Sequence, residues 1–69
     1  MSKLTSEQWV ELTKKTVEQY NEHKLRLGQA YMNSLYDVNK DLYTEITATE
    51  NDPYYDNNKL IDFIHFLNQ

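Results

Sequence analysis

Apolar residues recur at intervals of three and four along much of this chain. Because an α-helix turns once in about 3.6 residues, this spacing gathers apolar side chains on one helical face. The first segment with this pattern contains Trp9, Leu12, Thr13, Thr16, Val17 and Tyr20. No segment shows the alternation of apolar and polar residues that is typical of a half-buried strand. The sequence therefore predicts an all-α fold.

Capping signals mark where the first helix begins. Thr5 and Gln8 have the spacing of a capping box, in which each side chain accepts a hydrogen bond from the other residue's amide. Leu4 and Trp9 have the spacing of a hydrophobic staple. We predict that this helix begins just after Thr5.

Asparagine residues predict where two later helices begin. Asn39 can cap a third helix, and Asn57 or Asn58 can cap the last one. We predict a single domain, residues 1–69, folded as a small bundle of three to four short helices. The predicted helices lie at about 6–23, 26–38, 40–47 and 58–67, with a loop at 48–57.

The only glycine, Gly28, falls inside the second predicted helix. An interior glycine costs a helix about 1 kcal/mol relative to alanine, so its presence needs a reason. It could end the first helix, or it could let another helix pack closely against Gly28 and Ala30. We favour a turn near Lys24–Arg26 and close packing at Gly28.

The predicted loop contains a proline and two adjacent tyrosines. Asn51, Asp52 and Pro53 form a turn signal, because proline disfavours helix in the residue before it. Tyr54 and Tyr55 are large aromatic side chains in an otherwise polar segment. We expect both to pack back on the core.

The composition excludes several classes of function. With no cysteine among 69 residues, disulfides, zinc–thiolate sites and cysteine nucleophiles are excluded. One glycine is too few for a phosphate-binding loop. No apolar run approaches the roughly 18–20 residues that cross a membrane, and the first residues lack the apolar stretch of a signal peptide. We expect a soluble cytoplasmic protein with no membrane partner.

No metal, cofactor or catalytic site is predicted. His65 and Asp62 supply two ligands at most, and His23 has no ligand partner at helical spacing. The Asp- and Asn-rich segment 50–58 lacks the Gly and Glu positions of a calcium-binding EF-hand loop. The serines lack a nucleophile-elbow setting, and so short a chain forms no deep cleft. We expect that the protein is not an enzyme.

The net charge of −4 is unevenly distributed. Residues 1–26 contain five bases and four acids, which sum to +1, whereas residues 27–69 contain two bases and seven acids, which sum to −5. An acidic surface repels nucleic acids and attracts a partner with a basic surface. The alternative is that the acidic surface serves only to keep the protein soluble.

Three acids in the second half are spaced four residues apart: Asp37, Asp41 and Glu45. On a continuous helix they would stand in one line, roughly 6 Å apart by helical rise, which resembles the spacing of phosphates along a DNA strand. The alternative is a solvated face that is broken at Asn39. If the row imitates DNA, we expect it to cluster with Glu50 or Asp52.

Tyrosine is the unusual residue type, with six copies. Tyrosine is enriched at interfaces, but it also fills small cores with its hydroxyl at the surface. We expect most of the six in the core, with Tyr36 and Tyr43 the more exposed. The candidate partner-binding residues are therefore Tyr36, Asp37, Asp41, Tyr43, Glu45, Glu50 and Asp52.

Two sequence blocks carry a resemblance to a known family. Residues 26–35 read RLGQAYMNSL and residues 49–56 read TENDPYYD. They resemble Arg-x-Gly-Gln-Ala-x-x-Asn-x-Leu and Thr-x-x-Asp-Pro-Phe-Tyr-Asp blocks in small, mostly uncharacterised proteins encoded by tailed bacteriophages and prophages. Tyr54 stands where phenylalanine is usual, and Ala48 replaces a glycine before the second block. The resemblance implies a phage accessory protein without an enzymatic motif, which modifies or blocks a host component.

Three functions follow as hypotheses. The first is a non-enzymatic protein that binds and modulates or inhibits a host protein in the host cell cytoplasm. The second is an acidic DNA mimic that blocks a host nuclease or similar enzyme. The third is a self-assembling structural or virion-associated component, because a core this small gains stability from forming a homo-oligomer. Direct binding to nucleic acid is not expected.

Overall fold

A computed structural model describes residues 2–69 and leaves Met1 outside the description. Within that range the chain forms four α-helices and one 3-10 turn, with no strand. The elements are α1 (Ser6–His23), α2 (Leu27–Val38), α3 (Lys40–Ile46), the 3-10 turn Asn57–Lys59 and α4 (Leu60–Leu67). The predicted all-α bundle is confirmed.

The start of α1 has the predicted cap. Thr5 Oγ1 accepts a hydrogen bond from Gln8 N at 3.1 Å, and Gln8 Oε1 accepts one from Thr5 N at 3.0 Å. This reciprocal pair is the capping box, and it satisfies an amide that the helix itself leaves free. Leu4 is buried and Trp9 packs against the same core, as the staple predicts.

The chain turns between α1 and α2 at the expected place. Lys24 adopts the left-handed backbone conformation, with φ 54° and ψ 35°, which helices commonly use to end. Arg26 then precedes α2 as its N-cap, and Gln29 Oε1 accepts a hydrogen bond from Arg26 N at 3.3 Å. The turn brings α1 and α2 into the most extensive contact between any two elements.

Gly28 packs against the loop after α3 and not against a helix, which corrects the expected partner. A β-carbon at Gly28 would collide with the carbonyl oxygen of Pro53 and would lie 2.9 Å from Asn57 Oδ1. Gly28 N donates a hydrogen bond to that same Asn57 Oδ1 at 2.9 Å. The absence of a side chain therefore lets the loop reach the helix.

Arg26 holds the same loop. Its Nη1 donates to the Tyr55 carbonyl at 3.1 Å and its Nη2 donates to the Tyr54 carbonyl at 3.0 Å. The planar guanidinium presents donors in a fixed fork, which suits two adjacent acceptors. The two blocks of the sequence resemblance therefore form one structural unit, in which residues 26–28 bind residues 53–57.

Asp52 organises the loop between α3 and the 3-10 turn. Its Oδ2 accepts from Ala48 N at 2.8 Å and its Oδ1 accepts from Tyr54 N at 2.9 Å. Ala48 has φ 64°, a left-handed conformation that favours glycine. Pro53 is fully buried and Tyr54 packs against the core, but Tyr55 is 81% exposed. The expectation that both tyrosines pack back is therefore wrong for Tyr55.

The last helical segment begins with Asp56, and the expected cap at Asn57 or Asn58 is wrong. Asp56 Oδ1 accepts a hydrogen bond from Asn58 N at 2.9 Å. The 3-10 turn then continues directly into α4 at Leu60. The Asn57 side chain is engaged elsewhere, because it accepts the hydrogen bond from Gly28.

The N-terminal segment contacts the end of α4. Lys3 N donates to the Leu67 carbonyl at 2.8 Å, and Ser2 Oγ donates to the same carbonyl at 3.1 Å. Ser2 Oγ also accepts from Trp9 Nε1 at 2.7 Å and from Leu4 N at 3.2 Å. One hydroxyl thus links the N-terminal segment, α1 and α4.

The core is a single apolar cluster built from all four helices and the N-terminal segment. Its buried members are Leu4, Leu12, Met32, Leu35, Leu42, Ile46, Phe63 and Leu67. Two polar side chains are also buried. Thr16 Oγ1 donates to the Leu12 carbonyl at 2.7 Å, whereas Ser34 Oγ has no hydrogen-bond partner within residues 2–69.

Candidate interaction surface

Several large hydrophobic side chains lie outside the core. The exposed ones are Val10, Val17, Tyr20, Leu27, Tyr36, Tyr55 and Ile61. We call five of these, namely Val10, Val17, Tyr20, Leu27 and Ile61, the apolar band. They come from α1, from the first residue of α2 and from α4.

The α1 part of the band corrects the predicted core face of this helix. Leu12 and Thr16 are buried as expected, but Val17 and Tyr20 are about half exposed, at 52% and 51%. Val10 precedes Val17 by seven residues, two helical turns, so both lie on one side of α1. The helix therefore carries two apolar faces, of which only one contacts the core.

Leu27 connects the α1 part of the band to α4. One shallow hollow beside the α1–α2 turn is lined by Tyr20, Lys24, Leu25, Arg26, Leu27 and Asn57. A second, between α2 and α4, is lined by Leu27, Tyr31, Leu60, Ile61, Ile64, His65 and Asn68. Because Leu27 lines both hollows, the surface from Tyr20 to Ile61 is continuous. Ile61, expected on the apolar stripe of the last helix, is 81% exposed on this surface.

The charges along the band are basic. A third hollow on α1 is lined by Trp9, Val10, Thr13 and Lys14, and the hollow at the turn contains Lys24 and Arg26. Among residues 2–69, no Asp or Glu lines any of these three hollows. This is unexpected in a chain with eleven acids and seven bases.

The acidic row lies elsewhere and is not a single helical line. Asp37 belongs to α2, whereas Asp41 and Glu45 belong to α3. Asn39 separates the two helices with extended backbone, φ −155° and ψ 91°, and its Oδ1 caps α3 by accepting from Leu42 N at 3.1 Å. All three carboxylates are exposed. The break at Asn39 matches the solvated-face alternative.

The two tyrosines expected at the surface differ in exposure. Tyr36 is exposed, but Tyr43 is half-buried and packs against the core, so the expectation is wrong for Tyr43. Their rings meet edge to face at a centroid distance of 5.1 Å. Lys40 Nζ lies 5.5 Å from the centroid of the Tyr36 ring, which places a cation over this aromatic pair.

Glu50 and Asp52 occupy the loop after α3. The Asp52 carboxylate is half-buried and accepts from two loop amides, so it serves the loop conformation. Glu50 is exposed, and its carbonyl accepts a hydrogen bond from Lys59 Nζ at 3.2 Å. Both residues lie in a segment whose shape depends on local hydrogen bonds.

Two other features are absent from residues 2–69. No group of three or more His, Asp or Glu side chains is placed to hold a metal ion. No helix combines the length and the hydropathy that crossing a bilayer needs.

Val10 and Ile61 were not predicted as surface residues. A signal was present, because Val10 and Leu12 are two residues apart, about 200° round the axis of α1, so that no single helical face contains both. Periodicity alone does not tell which of two apolar faces meets the rest of the fold.

The comparisons with known proteins add no relative. A scan against protein-family models found no match, and searches of curated proteins and of solved structures also found none.

Proposed function

We propose that this chain is a non-enzymatic protein that binds another protein and modulates or inhibits it. The observation that carries the proposal is the apolar band, an exposed surface shared by three parts of the fold. In the terms of the resemblance, the protein is a phage-type accessory protein that acts on a host protein in the host cytoplasm, for host takeover or against a host defence.

The physical support is the free energy available from covering the band. Removing apolar surface from water contributes about 25 cal/mol per Å². Ile61 and Val10 have the most to gain, because they are 81% and 69% exposed. Contiguous exposed apolar surface on a small protein is typical of an interaction site.

The other two hypotheses use different surfaces or partners. A DNA mimic needs Asp37, Asp41 and Glu45 in one line, and Asn39 interrupts the helix that would align them. A self-assembling component would cover the band with a second copy of the chain. We therefore favour a foreign protein as the partner and retain both alternatives as outcomes of the test.

The test is capture from a bacterial host lysate on the immobilised protein, followed by mass spectrometry. Wild type should retain one protein in stoichiometric amount. Ile61→Glu should retain about ten-fold less, because a buried unpaired carboxylate would face the partner's apolar surface. Tyr55→Glu is the matched control, since Tyr55 has the same 81% exposure but lies outside the band. Circular dichroism checks that each variant folds.

The outcomes separate the hypotheses. If a bait with Asp37→Lys and Asp41→Lys loses the partner while Ile61→Glu retains it, the acidic row binds the partner. Equal retention by all baits would show that the band is not the binding surface. If wild type at high concentration retains no stoichiometric protein, the proposed function is wrong.

A further inference from the structure

The charges around the apolar band limit the kind of partner that it fits. On α1, Lys14 lies four residues after Val10 and three before Val17, so it is a surface neighbour of both. Glu11 and Glu18 follow Val10 and Val17 directly, which places them roughly 100° further round the helix axis. Lys14 therefore lies closer to the band than Glu11 and Glu18 do, and Glu7, three residues before Val10, borders only the first end of the band.

The turn between α1 and α2 continues this basic edge. Lys24 and Arg26 line the hollow that joins Tyr20 to Leu27. Arg26 donates its hydrogen bonds to neutral carbonyls, so its positive charge is not cancelled by these partners. The hollow beside Ile61 contains His65 and no carboxylate from residues 2–69. The α1 and turn parts of the band thus present apolar side chains with positive charge at their margin, from Lys14, Lys24 and Arg26, whereas the hollow at the α4 part contains no Lys or Arg.

We propose that the apolar band binds an amphipathic helix of another protein, whose apolar stripe is flanked by Asp and Glu side chains. This inference rests on the proposed function and names the chemistry of the partner at that surface. The α1 part of the band, from Val10 to Tyr20, spans about 15 Å by helical rise, which is enough for anchors at positions i, i+3 or i+4, and i+7 of a bound helix. Acidic flanks on that helix would face Lys14 and Lys24 and favour it over a basic helix.

A second copy of the chain does not offer this combination. Its α3 carries Asp41 and Glu45, but the apolar side chains of that helix, Leu42 and Ile46, are buried in its own core. Its α1 has exposed apolar side chains, but Lys14 and Lys24 lie beside them and would face the same bases of the first copy. An anionic membrane would also present negative charge beside apolar groups. The net charge of −4 opposes such a surface.

The test uses two synthetic peptides of equal length. Both are amphipathic helices with a leucine stripe and an alanine background, and one has Glu at every flanking position where the other has Lys. Binding is followed by anisotropy of the labelled peptide and by the fluorescence of Trp9, the only tryptophan, which lines one hollow of the band. We expect the acidic peptide to bind at least about ten-fold more tightly than the basic one, by 1.4 kcal/mol or more.

Substitutions in the protein test whether the apolar band causes the preference for the acidic peptide. Val17→Glu should weaken binding of the acidic peptide about ten-fold or more, and Tyr55→Glu should leave it unchanged. The pair Lys14→Glu and Lys24→Glu together should reverse the preference between the peptides. All of these positions are exposed, so folding is preserved, and circular dichroism verifies it.

Four results would overturn the inference. They are equal or tighter binding of the basic peptide, no binding of either peptide, Val17→Glu binding like wild type, and binding to phosphatidylserine vesicles in place of the peptide. Sedimentation adds one more, because a wild-type dimer that Val17→Glu converts to a monomer would make the occupant a second copy. If capture of the lysate partner depends on Ile61 while the basic peptide binds more tightly than the acidic one, the proposed function stands and this inference fails.

Discussion

Gly28 has no β-carbon, and this absence makes room for the loop after α3. Helix propensity alone does not predict that role. Replacing Gly28 with alanine should raise intrinsic helix stability by about 1 kcal/mol. The new methyl group, however, would collide with the Pro53 carbonyl and crowd Asn57 Oδ1, and overpacking of this kind costs about 1–3 kcal/mol or more. After the gain in helix propensity is subtracted, we expect Gly28→Ala to lower the free energy of unfolding by about 1 kcal/mol or more, measured by urea denaturation. A stabilised variant would show that the loop does not pack on α2.

Ala48 is the reverse case, because an alanine occupies a backbone conformation that favours glycine. A non-glycine residue in the left-handed region costs roughly 1–2 kcal/mol, and Ala48 has φ 64°. Ala48→Gly relieves this strain but frees the unfolded chain, so we expect a net gain of about 0.5–1 kcal/mol in the same urea experiment. Ala30→Gly is the matched control. Because Ala30 is buried inside α2, the same substitution there should lower the free energy of unfolding. A loss of stability at both positions would contradict the strain at Ala48.

At the scale of the elements, local signals predicted the helices, and tertiary contacts decided the rest. The cap at Thr5, the break at Asn39 and the turn at Lys24–Arg26 depend on residues near one another in sequence, and all three are confirmed. The cap of the last segment is different. Asn57 has the propensity to cap, but a hydrogen bond from Gly28, 29 residues away, occupies its side chain.

The candidate site shows the same limit. The predicted residues followed from charge spacing and residue type, which do not say how α1 is rotated about its own axis. Contact with α2 selects the face that contains Leu12 and Thr16, and Val10 and Val17 are left at the surface. The sequence pattern could have shown that Val10 and Leu12 lie on opposite sides of α1, but not which side the fold would cover.

At the scale of the whole molecule, so short a chain buries only about 60% of the surface of its unfolded state. Contacts that join distant parts of the chain therefore matter more than they would in a larger domain. Ser2 Oγ makes such a contact, because it bonds to the Leu67 carbonyl, to Trp9 Nε1 and to Leu4 N. It links the N-terminal segment to both α1 and α4.

Three serine substitutions measure how much the hydrogen bonds of Ser2 contribute to the free energy of unfolding. Ser2→Ala leaves Trp9 Nε1 without its acceptor and should lower the free energy of unfolding by about 1 kcal/mol, with a shift in Trp9 emission. Ser6→Ala removes an exposed hydroxyl near the start of α1 and should change little. Ser34→Ala should be neutral or stabilising, because the Ser34 hydroxyl is buried without a partner among residues 2–69. If Ser2→Ala is as neutral as Ser6→Ala, the ends of the fold are held by the apolar contacts of Leu4 and Leu67 alone.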